Sequence, residues 1–103
     1  MVKLVVAYKK PKDPIEFERL YQEEHLPLAA RIPHVSKIGL GKVAGTPDGS
    51  PAPYQRIAEL YFEDAATLNK ALGSDEGQKA ARHAVEIATG GVDMMVVEVE
   101  RDS

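Results

Sequence analysis

Apolar residues run from Leu4 to Ala7 inside a stretch that extends from Val2 to Tyr8. A short β-branched run of this kind predicts a strand covered on both faces. Pro11 and Pro14 close it. Asp13 then has the character of a helix N-cap, with Pro14 at the first helical position and Glu16 three residues after the cap. Phe17, Leu20, Tyr21 and Leu28 fall at helical spacing, and Glu24 interrupts the stripe. Pro27 removes a backbone donor and disfavours helical geometry at Leu26. The helix is therefore expected to kink or end near His25, with a short turn through Ile32 before Pro33.

His34 to Ala44 predicts an extended segment, in which Gly39 and Gly41 suggest a bulge or a close backbone approach. Gly45 to Pro53 has loop composition. Tyr54 to Glu63 predicts a strand with Tyr54, Arg56, Ala58, Leu60 and Phe62 on one face. Asp64 caps a short helix that stops at Gly73, and Ser74 recaps a second helix running through Ala81, Ala84, Val85 and Ala88. Gly90 and Gly91 end it, and Val92 to Glu100 is the last strand.

The order β-α-β-β-α-β predicts an α+β, ferredoxin-like domain with a four-stranded antiparallel sheet spanning the chain, residues 1–103. Helices on one face of such a sheet bury only that face. Yet Val5 and Ala7 oppose Leu4 and Val6, and Met95, Val97 and Val99 oppose Val92, Met94 and Val96. The second face needs a cover, and a two-fold partner presenting its own sheet is the economical source. A homodimer is expected.

Composition narrows the chemistry. With 103 residues, the chain suits one domain with a modest core. It has no cysteine, which removes disulfides, thiolate metal sites and a cysteine nucleophile, and which agrees with a reducing cytoplasm. The apolar run near the start is far too short for a signal or spanning segment. A formal charge of −3 points to neither nucleic acid nor an anionic membrane as a partner. No nucleotide-binding glycine pattern, H-E-x-x-H or nucleophile elbow is present, so neither a bound cofactor nor a metal is expected.

Several separated blocks resemble one family. Tyr8-x-x-Pro11-x-Asp13, Phe17, Tyr21-x-x-x-His25-x-Pro27-Leu28 and Ile32-Pro33 are similar to the first-helix signature of the EthD-like family. Pro53-Tyr54-x-Arg56-Ile57-Ala58-Glu59-Leu60-Tyr61-Phe62 and Thr89-Gly90-Gly91-Val92 resemble it as well. The resemblance implies a dimeric α/β barrel with a pocket between sheet and helices. It also implies a role in catabolism or secondary metabolism, associated with oxidoreductases, isomerases or dehydratases. The alternative it implies is a non-catalytic accessory protein that binds a hydrophobic molecule and supports a partner oxygenase.

His25 is the first chemical candidate, because imidazole titrates near neutrality. At ~100° per residue it lies about 80° from Phe17, at the edge of the apolar stripe. There it can act as a general acid or base on a small apolar molecule, or merely satisfy backbone loosened by Pro27. Tyr8, Tyr21, Tyr54 and Tyr61 offer phenols, of which Tyr8, Tyr21 and Tyr54 are candidates to bind a ligand, with Tyr21 or Tyr54 orienting it. Arg56 stands on an otherwise apolar strand face, so it is expected to pair with a carboxylate such as the partner subunit's Glu59, or to bind an acidic ligand. His34 and His83 are expected at the surface.

Overall fold

The computed structural model describes residues 1–101. Its strands are β1 (Val2–Lys9), β2 (Lys37–Lys42), β3 (Tyr54–Phe62) and β4 (Val92–Glu98). Its helices are α1 (Pro14–Leu20), α2 (Leu26–Ala29), α3 (Ala65–Gly73) and α4 (Asp75–Ile87), with a π-helical turn at Tyr21–His25 joining α1 to α2. The sheet is antiparallel throughout, in the order β2-β3-β1-β4. This is the ferredoxin-like arrangement expected from the element order.

The helix starts follow the expected chemistry. Asp13 accepts from the Glu16 amide, Asp64 from the Thr67 amide and Ser74 from the Gly77 amide. Each bond satisfies one of the donors orphaned at a helix N-terminus. The corner between α3 and α4 is tight: a Cβ on Gly77 would collide with the Ala71 carbonyl and stand 2.9 Å from Leu72 Cα.

Val2, Leu4, Val6 and Tyr8 of β1 face the helices, opposite Phe62, Leu60, Ala58 and Arg56 of β3. Phe17, Tyr21, Leu68, Ala71, Ala84 and Ile87 close over them. The molecule is two layers thick, 17 Å along its shortest axis. On the other sheet face Val5, Ile57 and Val97 are only half-buried and Met95 is exposed.

One expectation about the glycines fails. The β2–β3 register is regular through Gly39 and Gly41, and a Cβ at either would meet only ordinary contacts. The irregularity falls instead between Tyr8 and Lys9 of β1, where Lys9 pairs with Tyr54 although Tyr8 pairs with Arg56. The extra residue in the β3 strand is Gln55, which is buried.

Candidate functional site

Pro27 disturbs the first helix as its sequence predicts, but by widening it. The Leu26 amide donates to the Tyr21 carbonyl, five residues back, and the chain then passes Pro27 as α2. A wider turn relieves the clash between a proline ring and the carbonyl four residues earlier. In a π-turn each residue also advances less than the ~100° of an α-helix. His25 is thereby rotated back under the apolar stripe instead of standing at its edge. Phe17, Tyr21 and His25 form one stack, with successive ring centroids 5.7 and 5.8 Å apart and interplanar angles of 17° and 24°. Tyr8 meets all three rings edge-on.

His25 is buried, and side chains hold its ring nitrogens. Nε2 lies 3.1 Å from the Tyr8 hydroxyl and Nδ1 lies 3.0 Å from Nδ1 of His83. Burial, and secondarily His83, push the His25 imidazolium down to about 4, so the ring is neutral at pH 7. Burial pushes the Tyr8 phenol well above its ordinary range, so it keeps its proton. The Tyr8 hydroxyl and Nε2 share one hydrogen bond, whose donor is set by the His25 tautomer. Tyr21 is fully buried, and its hydroxyl has no hydrogen-bond partner among the described residues. An unmet buried hydroxyl costs roughly 1–3 kcal/mol, which a ligand supplying a partner would recover.

These rings form the polar end of a cavity of about 110 Å³ between sheet and helices. Leu4, Val6, Ala58 and Leu60 contribute its floor, and Ala80 and Ala84 of α4 its roof. Of its eighteen lining residues, only Tyr8, Tyr21 and His25 carry a side-chain nitrogen or oxygen. The volume approaches the ~150 Å³ that admits a benzene ring in an engineered apolar cavity. Ile38, Leu40 and Met94 line it while remaining 40%, 47% and 40% exposed, so it reaches the rim of the sheet.

The EthD domain model matches residues 9–89, a span that includes the π-turn, β3 and α4. The chain belongs to the EthD family. An uncharacterised 11.0 kDa protein from the thcB-thcC intergenic region of Rhodococcus erythropolis is 37% identical, over 97% of this chain and 96% of that protein. The crystal structure of an EthD family protein from Bacillus halodurans superposes with a TM-score of 0.90 at 30% identity, covering 95% of this chain and 97% of that one. At 16% identity the fold recurs in SnoaB, a cofactor-independent oxygenase from Streptomyces nogalater (TM-score 0.68; 98% and 94% covered). It recurs at 17% identity in a dimeric protein of unknown function from Bacteroides fragilis (TM-score 0.66; 94% of each chain covered).

In this EthD protein not every candidate residue reaches the cavity. Arg56 does not line it. Its guanidinium forms a bidentate pair with Glu18 of α1, at 2.6 and 3.1 Å, and lies 5.1 Å from the centre of the Tyr21 ring. Arg56 therefore has a carboxylate partner within its own chain. Glu59 pairs with Lys3 at 3.0 Å. The Arg56 hydrogen bonds hold the Glu18 carboxyl below its usual range. The pair ties α1 to the sheet and fixes one face of Tyr21.

Tyr54 is also outside the cavity. Simple alternation puts it on the Arg56 face, but the register shift turns it over. Its hydroxyl donates to Asp93 at 2.8 Å, and Asp93 lies opposite Ala7 on the far face of the sheet. Tyr61 is buried on that far face beneath the ammonium groups of Lys3 and Lys37.

His34 is exposed, in a left-handed conformation at φ 65°. His83 was expected at the surface, yet its side chain is only 14% exposed and stacks on His25 at 8° and 5.3 Å. The signal for it lies in α4: Ala80, Ala84 and Ile87 are all buried, and His83 sits between them in the helical repeat. No group of three histidine or carboxylate side chains suited to a metal occurs among the described residues.

Proposed function

We propose that this protein is a homodimer that binds a compact, largely apolar organic molecule with one polar end and moves a proton on it through Tyr8 and His25. The observation that carries the reading is the 3.1 Å contact between Tyr8 and a neutral His25 in the wall of an otherwise apolar cavity. Storage of an apolar molecule needs no titratable group there, whereas general base catalysis does. The apolar part of the ligand fills the space over Leu4, Val6, Ala58 and Leu60. Its polar end meets the unpartnered Tyr21 hydroxyl.

The Tyr8 oxygen takes a proton from the ligand while its own proton passes to His25 Nε2. In the reverse direction imidazolium returns it through Tyr8. Proton abstraction of this type opens an isomerisation, an elimination or a direct oxidation. The apolar lining of the cavity strengthens the hydrogen bond from Tyr21 to charge developing on the ligand's polar atom.

Native mass spectrometry of freshly purified protein identifies the ligand. Turnover of that compound is then compared for wild type, His25→Ala and Tyr8→Phe. A general base contributes about 10²–10⁴-fold, so His25→Ala is expected to lower kcat by at least about a hundredfold. Undiminished turnover in His25→Ala would overturn the reading. Retention of a ligand without turnover by any of the three proteins would favour the accessory binding role instead.

A further inference from the structure

We propose that His83 and Glu24 complete a proton relay linking His25 at the cavity wall to solvent. The proposal rests on the acid–base reading of His25 given above, and it assigns a positioning role to two residues outside the cavity lining. Four groups stand in sequence. The Tyr8 hydroxyl meets His25 Nε2 at 3.1 Å, His25 Nδ1 meets His83 Nδ1 at 3.0 Å, and His83 Nε2 lies 3.5 Å from the Glu24 carboxylate. Exposure rises along the line. His25 is 7% exposed, the His83 side chain 14% and the Glu24 side chain 52%.

The contacts also give the line a direction. Two Nδ1 atoms at 3.0 Å need one proton between them, supplied by one ring or the other. With both rings neutral, a proton supplied by His83 would leave its Nε2 lone pair facing the Glu24 carboxylate, an acceptor facing an acceptor. If His25 supplies it, both hydrogen bonds are satisfied and His83 Nε2 keeps its proton toward Glu24 at ion-pair distance. Tyr8 O–H donates to His25 Nε2, His25 Nδ1–H donates to His83 Nδ1, and His83 Nε2–H points to Glu24. The groups in contact with the two imidazoles include Tyr8 on β1, Tyr21 and Glu24 on the π-turn, and the two histidines themselves. The Glu24 carboxylate, 3.5 Å from His83 Nε2, orients the line outward.

The balance is a single proton. When His25 Nε2 receives the Tyr8 proton, the Nδ1 proton passes to His83 Nδ1. The His83 Nε2 proton passes in turn to Glu24 and then to water. No bond to carbon changes within the relay, and no electron moves. Its effect is to return His25 to its neutral form by a path that does not run through the cavity.

Long-range ¹H–¹⁵N correlation spectroscopy of the ligand-free protein at pH 7 tests this. The expected result is His25 as its Nδ1–H tautomer and His83 as its Nε2–H tautomer. His25 as Nε2–H, or His83 as Nδ1–H, would overturn the relay. In Glu24→Gln, at an exposed position, the orienting charge is lost and the amide both donates and accepts. His83 is then expected to lose its single tautomer, and an unchanged spectrum would remove Glu24 from the relay. Because these readouts need no ligand, a reversed tautomer defeats the relay and leaves the His25 reading to the turnover assay. Absent turnover leaves the tautomers as they are.

Discussion

His25 is held neutral by its surroundings, and that has a consequence for stability. Its folded-state value of about 4 lies below the ~6.5 of an exposed histidine. Above ~6.5 both the folded and unfolded forms are neutral, and the group has no effect. As the pH falls from ~6.5 toward 4, the unfolded chain takes up a proton that folded His25 refuses, so stability is lost. The loss is on the order of 3 kcal/mol across that window. Urea denaturation at pH 7 and pH 5 is expected to show this decline in the wild type and a shallower one in His25→Gln. Parallel declines in the two proteins would contradict it. At this scale His25 itself was legible in the sequence, because few side chains titrate near neutrality and this one stood beside a proline. Its partners were not. Tyr8 lies 17 residues away and His83 58 residues away, and no local pattern joins them.

The first helix and its cap were equally legible, since Asp13 and Pro14 act within one turn. The π-turn was only half visible. Pro27 announces that regular α geometry fails near His25, but whether the chain kinks, stops or widens depends on what packs against it. Here the stack of Phe17, Tyr21 and His25 against Tyr8 favours the widened turn. The approach of α4 is a second matter decided by packing. Its small buried residues Gly77, Ala80 and Ala84 let it lie close, and Gly77 is the tightest of them. Gly77→Ala places a methyl against the backbone of Ala71 and Leu72, which cannot yield as a side chain would. A loss of about 1–3 kcal/mol is expected from such overpacking, despite alanine's better helix propensity. Thermal denaturation measures it, and a stabilised variant would show that the α3–α4 corner is looser than described.

In the whole molecule the uncovered sheet face dominates. A two-layer body leaves Val5, Ile57, Met95 and Val97 without a lid, between the Lys3–Glu59 pair and the Tyr54–Asp93 bond. Pairing two such faces buries the apolar centre and keeps the polar groups near its margin. Light scattering of dilute protein is expected to give the mass of two chains. Met95→Glu, which places a charge within this face on each chain, is expected to weaken the dimer at least tenfold, about 1.4 kcal/mol. A wild-type monomer would refute the pairing. No helix among the described residues is long and apolar enough to cross a membrane.

The sequence by itself determined the element order, the helix caps, the ferredoxin-like topology and the family. Each depends on local spacing or on residue types carried along the chain. Tertiary structure decided which groups share a site. A single register shift moved Tyr54 to the far face, Glu18 claimed Arg56, and the π-turn brought His25 beneath the stripe to meet Tyr8 and His83. Those outcomes depend on contacts between distant segments, where competing partners and backbone register are chosen together by packing.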